Sequence, residues 1–127
     1  MHRVLILGAG KIGALISGLL AESGSYRVQL ADVDGAAAEA VARAHASAHL
    51  TAVTLDASNA PALAQHLAAH PVDAVISGLP YHCNVRVAEA ARKARSHYFD
   101  LTEDVEVTRA VRAIAAGVTS TSSVRSK

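Results

Sequence analysis

Short apolar runs alternate along this chain with longer stretches in which apolar residues recur every three or four positions, the pattern of parallel strands joined by crossover helices. The first run covers residues 3–7 and leads into a helical period over 11–22, where Ile12, Leu15, Ile16, Leu19 and Leu20 share one side. Ser23-Gly24-Ser25 ends that helix. A second strand over 27–31 closes on Asp32-Val33-Asp34-Gly35, and an alanine-rich helix over 36–46 follows, alanine being the best helix former. The third strand spans 50–55. Asp56-Ala57-Ser58-Asn59 then supplies a loop with an N-cap, and Pro61 sits in the first turn of a helix reaching 69. A strand over 74–77 ends in Gly78-Leu79-Pro80, a helix over 84–95 leads to a strand over 97–101, and Thr102-Glu103-Asp104 opens a last helix ending at 116.

Right-handed crossovers lay these units out as a doubly wound parallel sheet in the order 3-2-1-4-5, helices on both faces, giving three αβα layers. A sixth strand, the usual complement of such a fold, has no clear segment. Residues 1–117 are expected to form one domain. From 118 to 127 the chain is polar, lacks periodicity and carries Thr119-Ser120-Thr121-Ser122-Ser123, so it is expected to be a disordered tail. The missing strand would leave a sheet edge uncovered, and a homodimer that covers it is expected.

Where the first strand meets the first helix, three glycines fall in the spacing G-x-G-x-x-G: Gly8, Gly10 and Gly13. Gly8 allows the tight turn, Gly10 lets the backbone approach a pyrophosphate, and Gly13 lets the helix pack close to the strand. Lys11 and Ile12 open a helix whose free N–H groups and positive dipole end face that pyrophosphate. Asp32 follows Gly13 by nineteen residues, at the end of the second strand. An acid there accepts hydrogen bonds from the adenosine ribose hydroxyls and repels a 2′-phosphate. Val33 and Asp34 bring no arginine to offset that repulsion. The reading is a Rossmann dinucleotide site that takes NAD in preference to NADP. The competing reading is a nucleotide fold kept for packing, with Asp32 a surface carboxylate or a helix cap.

Ligands of open parallel sheets lie beyond the carboxyl ends of the strands, at the switch between the first and fourth. Asp56 and Ala57 would border the adenine there, and Gly78, Leu79 and Pro80 the pyrophosphate or the nicotinamide ribose. A helix cap at Asp56 and a plain strand-ending turn at 78–80 are the alternatives.

Composition removes several classes of function. Hydrophobic residues make up 51% of 127, enough for one core without disulfides. The net charge of +1 is spread without a basic patch and aromatics are only 3%, so nucleic acid is not an expected partner. No apolar run approaches the roughly 18 residues of a membrane span. The stretch after Met1 is too short for a signal peptide, and a cytoplasmic location is expected. The single Cys83 has no disulfide partner. Seven histidines invite a metal reading, but the pairs His45/His49 and His66/His70 fall near helix ends, where histidine meets the negative end of the dipole. His82 and Cys83 lie just after the fourth strand on the ligand edge, but they are adjacent and lack a third group, and Cys83 is expected as a small buried hydrophobe. Asp100, Glu103 and Asp104 are the acids that a helix N-terminus attracts. No catalytic residue and no metal ligand is assigned.

Two stretches together carry a family resemblance. The opening VLILGAGKIG with LADVD, joined to DAVISGLPYHCNVRVAEAARKARSHYFDLTED over residues 73–104, resembles the N-terminal cofactor domain of saccharopine dehydrogenase-like oxidoreductases. The second stretch is the more specific, through Leu79-Pro80-Tyr81, Asn84 and the run from Tyr98 to Asp104. The resemblance implies a nicotinamide-dependent hydride-transfer lineage acting on amino-acid-derived secondary amines, hence a place in amino-acid metabolism. In that family a catalytic and dimerisation region follows this domain. Here the chain runs instead into its Ser/Thr tail, so it is expected to be inactive alone; a stand-alone nucleotide-sensing regulatory module is the alternative.

Overall fold

The computed structural model describes residues 2–79 and 83–100. The expected last helix, the tail over 118–127, the boundary at 117, Pro80, Glu103 and Asp104 lie outside the described residues. Five strands, β1 (His2–Leu7), β2 (Tyr26–Asp32), β3 (Leu50–Thr54), β4 (Ala74–Ser77) and β5 (His97–Asp100), form one sheet in the order β3-β2-β1-β4-β5. Every pairing is parallel. Helices α1 (Lys11–Glu22), α2 (Gly35–His45), α3 (Ala60–Ala69) and α4 (Asn84–Lys93) fill the connections. This is the Rossmann order that the alternation predicts.

The central strand shows why the chain folds this way. Val4, Leu5, Ile6 and Leu7 are all essentially buried, because β1 has helices over both faces. Val4 and Ile6 join Ile16 and Leu20 of α1, with Val28, Leu30, Ile76 and Phe99 from neighbouring strands. Leu5 and Leu7 point the other way, into a second cluster with Leu63 and Leu67 of α3 and Val87 and Ala91 of α4. Each fully buried side chain of this kind contributes about 1.5–3 kcal/mol relative to exposure. Asp73 aligns the far end: its N–H donates to the Arg3 carbonyl at 2.8 Å, and its carboxylate accepts from the Arg3 N–H at 2.7 Å.

Helix ends fall where side chains and backbone hand dictate. Helix α2 starts at Gly35, one residue ahead of the expected position, because Asp34 caps it by accepting from the N–H groups of Ala36 and Ala37. It stops at His45 because Ala46 adopts the left-handed conformation, φ 51°. Helix α4 ends at Lys93, two residues early, and Arg95 follows with φ 62°.

Candidate functional site

The switch point between β1 and β4 lies at the carboxyl edge of the sheet, and the first glycine turn is folded onto it. Gly8 has φ +105°, a conformation that side chains rarely adopt, and its N–H donates to the Ala31 carbonyl at 2.7 Å. A Cβ on Gly8 would also stand 3.3 Å from the Gly78 carbonyl oxygen, so the turns after β1 and β4 pass close together. Gly78 in turn donates to the Leu7 carbonyl at 2.7 Å. At Gly13, inside α1, a Cβ would overlap the Gly8 carbonyl oxygen and come 3.2 Å from its carbon. The helix therefore rests directly on the turn. Around Gly10 a Cβ would find nothing within 4 Å. One glycine of the motif is required by packing, one by backbone conformation, and one opens onto free space.

Gly10 is also the N-cap of α1, in extended conformation, and no side chain caps this helix or places an acid in its first turn. Side chains cap α2 and α3, through Asp34 and Asn59, while α4 like α1 has no side-chain cap. The leading N–H groups of α1, from Lys11, Ile12 and Gly13, have no partner within the helix, and its dipole puts partial positive charge there. Lys11 is exposed and Ile12 half-buried.

Asp32 stands at the end of β2, facing that turn. Its Oδ2 accepts from the Ala9 N–H at 2.8 Å and its Oδ1 from the Asp34 N–H at 2.9 Å. It is neither a free surface carboxylate nor the cap of α2, which is Asp34. Val33 beside it is 68% exposed. Asp56 is not a helix cap either: its Oδ1 accepts from the N–H and the hydroxyl of Ser58, at 3.0 and 2.5 Å, while Asn59 caps α3 by accepting from the Ala62 N–H.

A cavity of about 180 Å³ is lined by Gly8, Asp32, Val33, Asp56, Ala57 and Leu79, with Leu7, Ala31, Leu55, Ser58 and Cys83 completing its wall. Thus six of the twelve residues singled out from the sequence meet around one space. Gly10, Lys11, Ile12 and Gly13 lie outside this lining, at the turn and first helical residues after Gly8, Gly78 lies under Gly8, and Pro80 is outside the described residues. Drug-sized pockets run from about 300 Å³ upward, so this cavity suits one end of an elongated ligand. Among the described residues its wall is mostly apolar, with two carboxylates and no lysine or arginine. Cys83, which the sequence places at this edge just after the fourth strand but reads as a core residue, is a wall residue. It is half-buried, just ahead of α4, rather than a core residue.

His45, His66 and His70 lie away from this cavity. His45, in the last turn of α2, sits 4.0 Å from Glu22 and packs against Gly18 of α1. His66, in the last turn of α3, shares a hydrogen bond with the Gln29 side chain at 2.9 Å, and its ring lies 4.8 Å from that of His70. Burial, and secondarily the neighbouring His70, lower the His66 pKa from its ordinary 6.5. Among the described residues no three His, Cys, Asp or Glu side chains gather as metal ligands, and no helix is long and apolar enough to cross a membrane.

Residues 4–122 match the family described as the saccharopine dehydrogenase NADP binding domain. Among solved structures, apo saccharopine dehydrogenase (L-Glu forming) from Saccharomyces cerevisiae is similar at 28% identity and a TM-score of 0.71, over 86% of this chain and 23% of that one. An oxidoreductase of the short-chain dehydrogenase/reductase family from Burkholderia thailandensis shares the fold at 23% identity and a TM-score of 0.68, over 91% of this chain and 59% of that one. So does 3-ketoacyl-(acyl-carrier-protein) reductase from Brucella melitensis, complexed with NADH, at 24% identity and a TM-score of 0.58, over 72% and 48%. This chain spans about a quarter of the length of the yeast enzyme.

Proposed function

Since this chain belongs to the saccharopine dehydrogenase NADP-binding-domain family, we propose that its carboxyl-edge site holds NAD and serves hydride transfer in an oxidoreductase acting on amino-acid-derived secondary amines. The observation that carries the cofactor assignment is the open, uncapped start of α1 at Gly10 lying next to the cavity that Asp32 lines. A pyrophosphate would lie over Gly10 and receive the first N–H groups of α1. The adenosine would enter the cavity, its ribose hydroxyls donating to Asp32 and its base held between Val33 and Ala57, with Asp56 at the rim. Gly78 and Leu79 would border the nicotinamide side. The nicotinamide itself supplies the hydride chemistry. The residues assigned here bind and orient, and the substrate-positioning groups are assigned to polypeptide outside this domain.

The family description names NADP, whereas the residues here favour NAD. A 2′-phosphate on the adenosine ribose would meet the Asp32 carboxylate, with Asp34 nearby and no lysine or arginine among the described wall residues to neutralise it. Isothermal titration with each cofactor tests the proposal. NAD is expected to bind at least tenfold more tightly than NADP. Absence of heat with either overturns the dinucleotide reading, and tighter NADP binding overturns the assignment to Asp32.

A further inference from the structure

Asp32 is already engaged before any ligand arrives, and its partners identify a second role. The Ala9 N–H that donates to Oδ2 belongs to the middle of the Gly8-Ala9-Gly10 turn, twenty-three residues away in sequence. The Asp34 N–H that donates to Oδ1 belongs to the residue that caps α2. One carboxylate therefore ties the phosphate-facing turn of α1 to the start of α2. The turn needs such a tie. Gly8, at φ +105°, is flanked by Ala9 and by a Gly10 with open space around its Cα, and glycine is the residue with most conformational freedom to lose.

Resting on the dinucleotide reading above, we propose that Asp32 is a positioning residue for the pyrophosphate as well as a ribose ligand: by holding the Ala9 N–H it fixes the turn in the conformation that presents Gly10 and the start of α1 to the phosphates. Each carboxylate oxygen has a second acceptor site beyond the one used by a backbone N–H, so the ribose hydroxyls add to this arrangement without displacing it. Recognition of the adenosine ribose and of the diphosphate is then coupled through one side chain. An asparagine cannot hold both N–H groups and so cannot tie the turn to the start of α2, since its amide accepts at one atom only and turns N–H groups toward the other backbone donor.

The experiment compares three ligands on the wild type, Asp32→Asn and Asp32→Ala: NAD, NAD with a 2′,3′-dideoxy adenosine ribose, and 2′,3′-dideoxyadenosine. The dideoxy dinucleotide has no hydroxyls for Asp32 to hold, so any loss it suffers in the variants comes through the turn. Dideoxyadenosine has neither hydroxyls nor phosphates. The expected result is that the variants bind the dideoxy dinucleotide about tenfold more weakly than the wild type does, with dideoxyadenosine affinity unchanged. Amide exchange at Ala9 in the ligand-free variants is expected to be faster than in the wild type. Unchanged affinity for the dideoxy dinucleotide overturns the proposal and leaves Asp32 a ribose ligand alone. A parallel loss for dideoxyadenosine, or loss of the native circular dichroism in both variants, overturns it in favour of a general structural role. Wild-type protein that binds no NAD overturns the underlying dinucleotide reading, and the inference with it.

Discussion

The two glycines at Gly10 and Gly13 are expected to fail in opposite ways when given a methyl group. At Gly13 a Cβ overlaps the Gly8 carbonyl oxygen and comes 3.2 Å from its carbon. Both are backbone atoms, so no rotamer change relieves the contact. The turn and α1 must part by on the order of 1 Å to restore carbon-to-oxygen van der Waals distance. Overpacking a close-packed site costs about 1–3 kcal/mol, and a rigid backbone neighbour places this case at the upper end. Replacing glycine by alanine inside a helix returns about 1 kcal/mol. Gly13→Ala is therefore expected to lose about 2 kcal/mol, which lowers Tm by roughly 6–10 °C in a domain of this size. Gly10→Ala meets nothing within 4 Å and keeps an ordinary φ of −71°. Its stability is expected to stay within about 0.5 kcal/mol of the wild type, a small cap penalty offsetting a stiffer unfolded chain. Its NAD affinity is expected to fall at least about tenfold, because the methyl group stands where the pyrophosphate must approach. Thermal denaturation followed by circular dichroism, with calorimetric titration on the same samples, reads both effects. The reasoning is refuted by a Gly13→Ala protein that melts at or above the wild type, or by a Gly10→Ala protein that binds NAD normally.

Other perturbations separate stability from binding. Asn59→Ala removes the cap of α3 and should cost about 1 kcal/mol, a Tm drop of roughly 3–5 °C, with NAD affinity within about twofold; a wild-type Tm would contradict the cap assignment. His66, whose folded pKa lies below 6.5, resists in the folded state a proton that the unfolded chain takes up. Its stabilising contribution is complete above pH 6.5 and is lost as pH falls through the folded pKa. Denaturant midpoints should therefore decline between pH 7.5 and 5 more steeply in the wild type than in His66→Gln, and equal slopes would disprove the assignment. Cys83, half-buried in the cavity wall, should react with a maleimide more slowly when NAD is present; the same rate with and without NAD would place the adenosine elsewhere.

Strand order was legible in the sequence because it rests on two robust signals. Apolar runs such as Val4 to Leu7 mark strands buried on both faces, and crossover handedness leaves little choice of topology. Helix ends were less legible. Asp34 moves the start of α2 by one residue through a side-chain contact, and the left-handed backbone falls at Ala46 and Arg95, where no glycine marks it in the sequence. The site was legible where spacing encodes it: Gly8, Asp32, Val33, Asp56, Ala57 and Leu79 do share one cavity. What spacing does not encode is the partner of each polar atom. Nothing in the pattern distinguishes Asp32 as an acceptor for Ala9 from Asp32 as an unengaged carboxylate, or shows that Asp56 turns its oxygen to Ser58. Cys83 was legible as a residue of the ligand edge but was read as a core residue, because no periodicity outside a helix or strand tells a wall position from a core one.

The hydrogen bond from Ala9 to Asp32 bears on any redesign of this domain toward the phosphorylated cofactor. The simplest scheme deletes the acid at the end of β2 and adds a basic residue beside it, at Val33 or Asp34. On the proposed reading that scheme would remove a repulsion and also the acceptor of the Ala9 N–H in one step, and an added arginine or lysine has only donors to offer an N–H that needs an acceptor. A replacement at residue 32 must be short, neutral and still an acceptor, as serine is. If the carboxylate ties down the turn, serine with a nearby arginine should outperform glycine or alanine with the same arginine, and cofactor preference would be governed as much by loop anchoring as by charge.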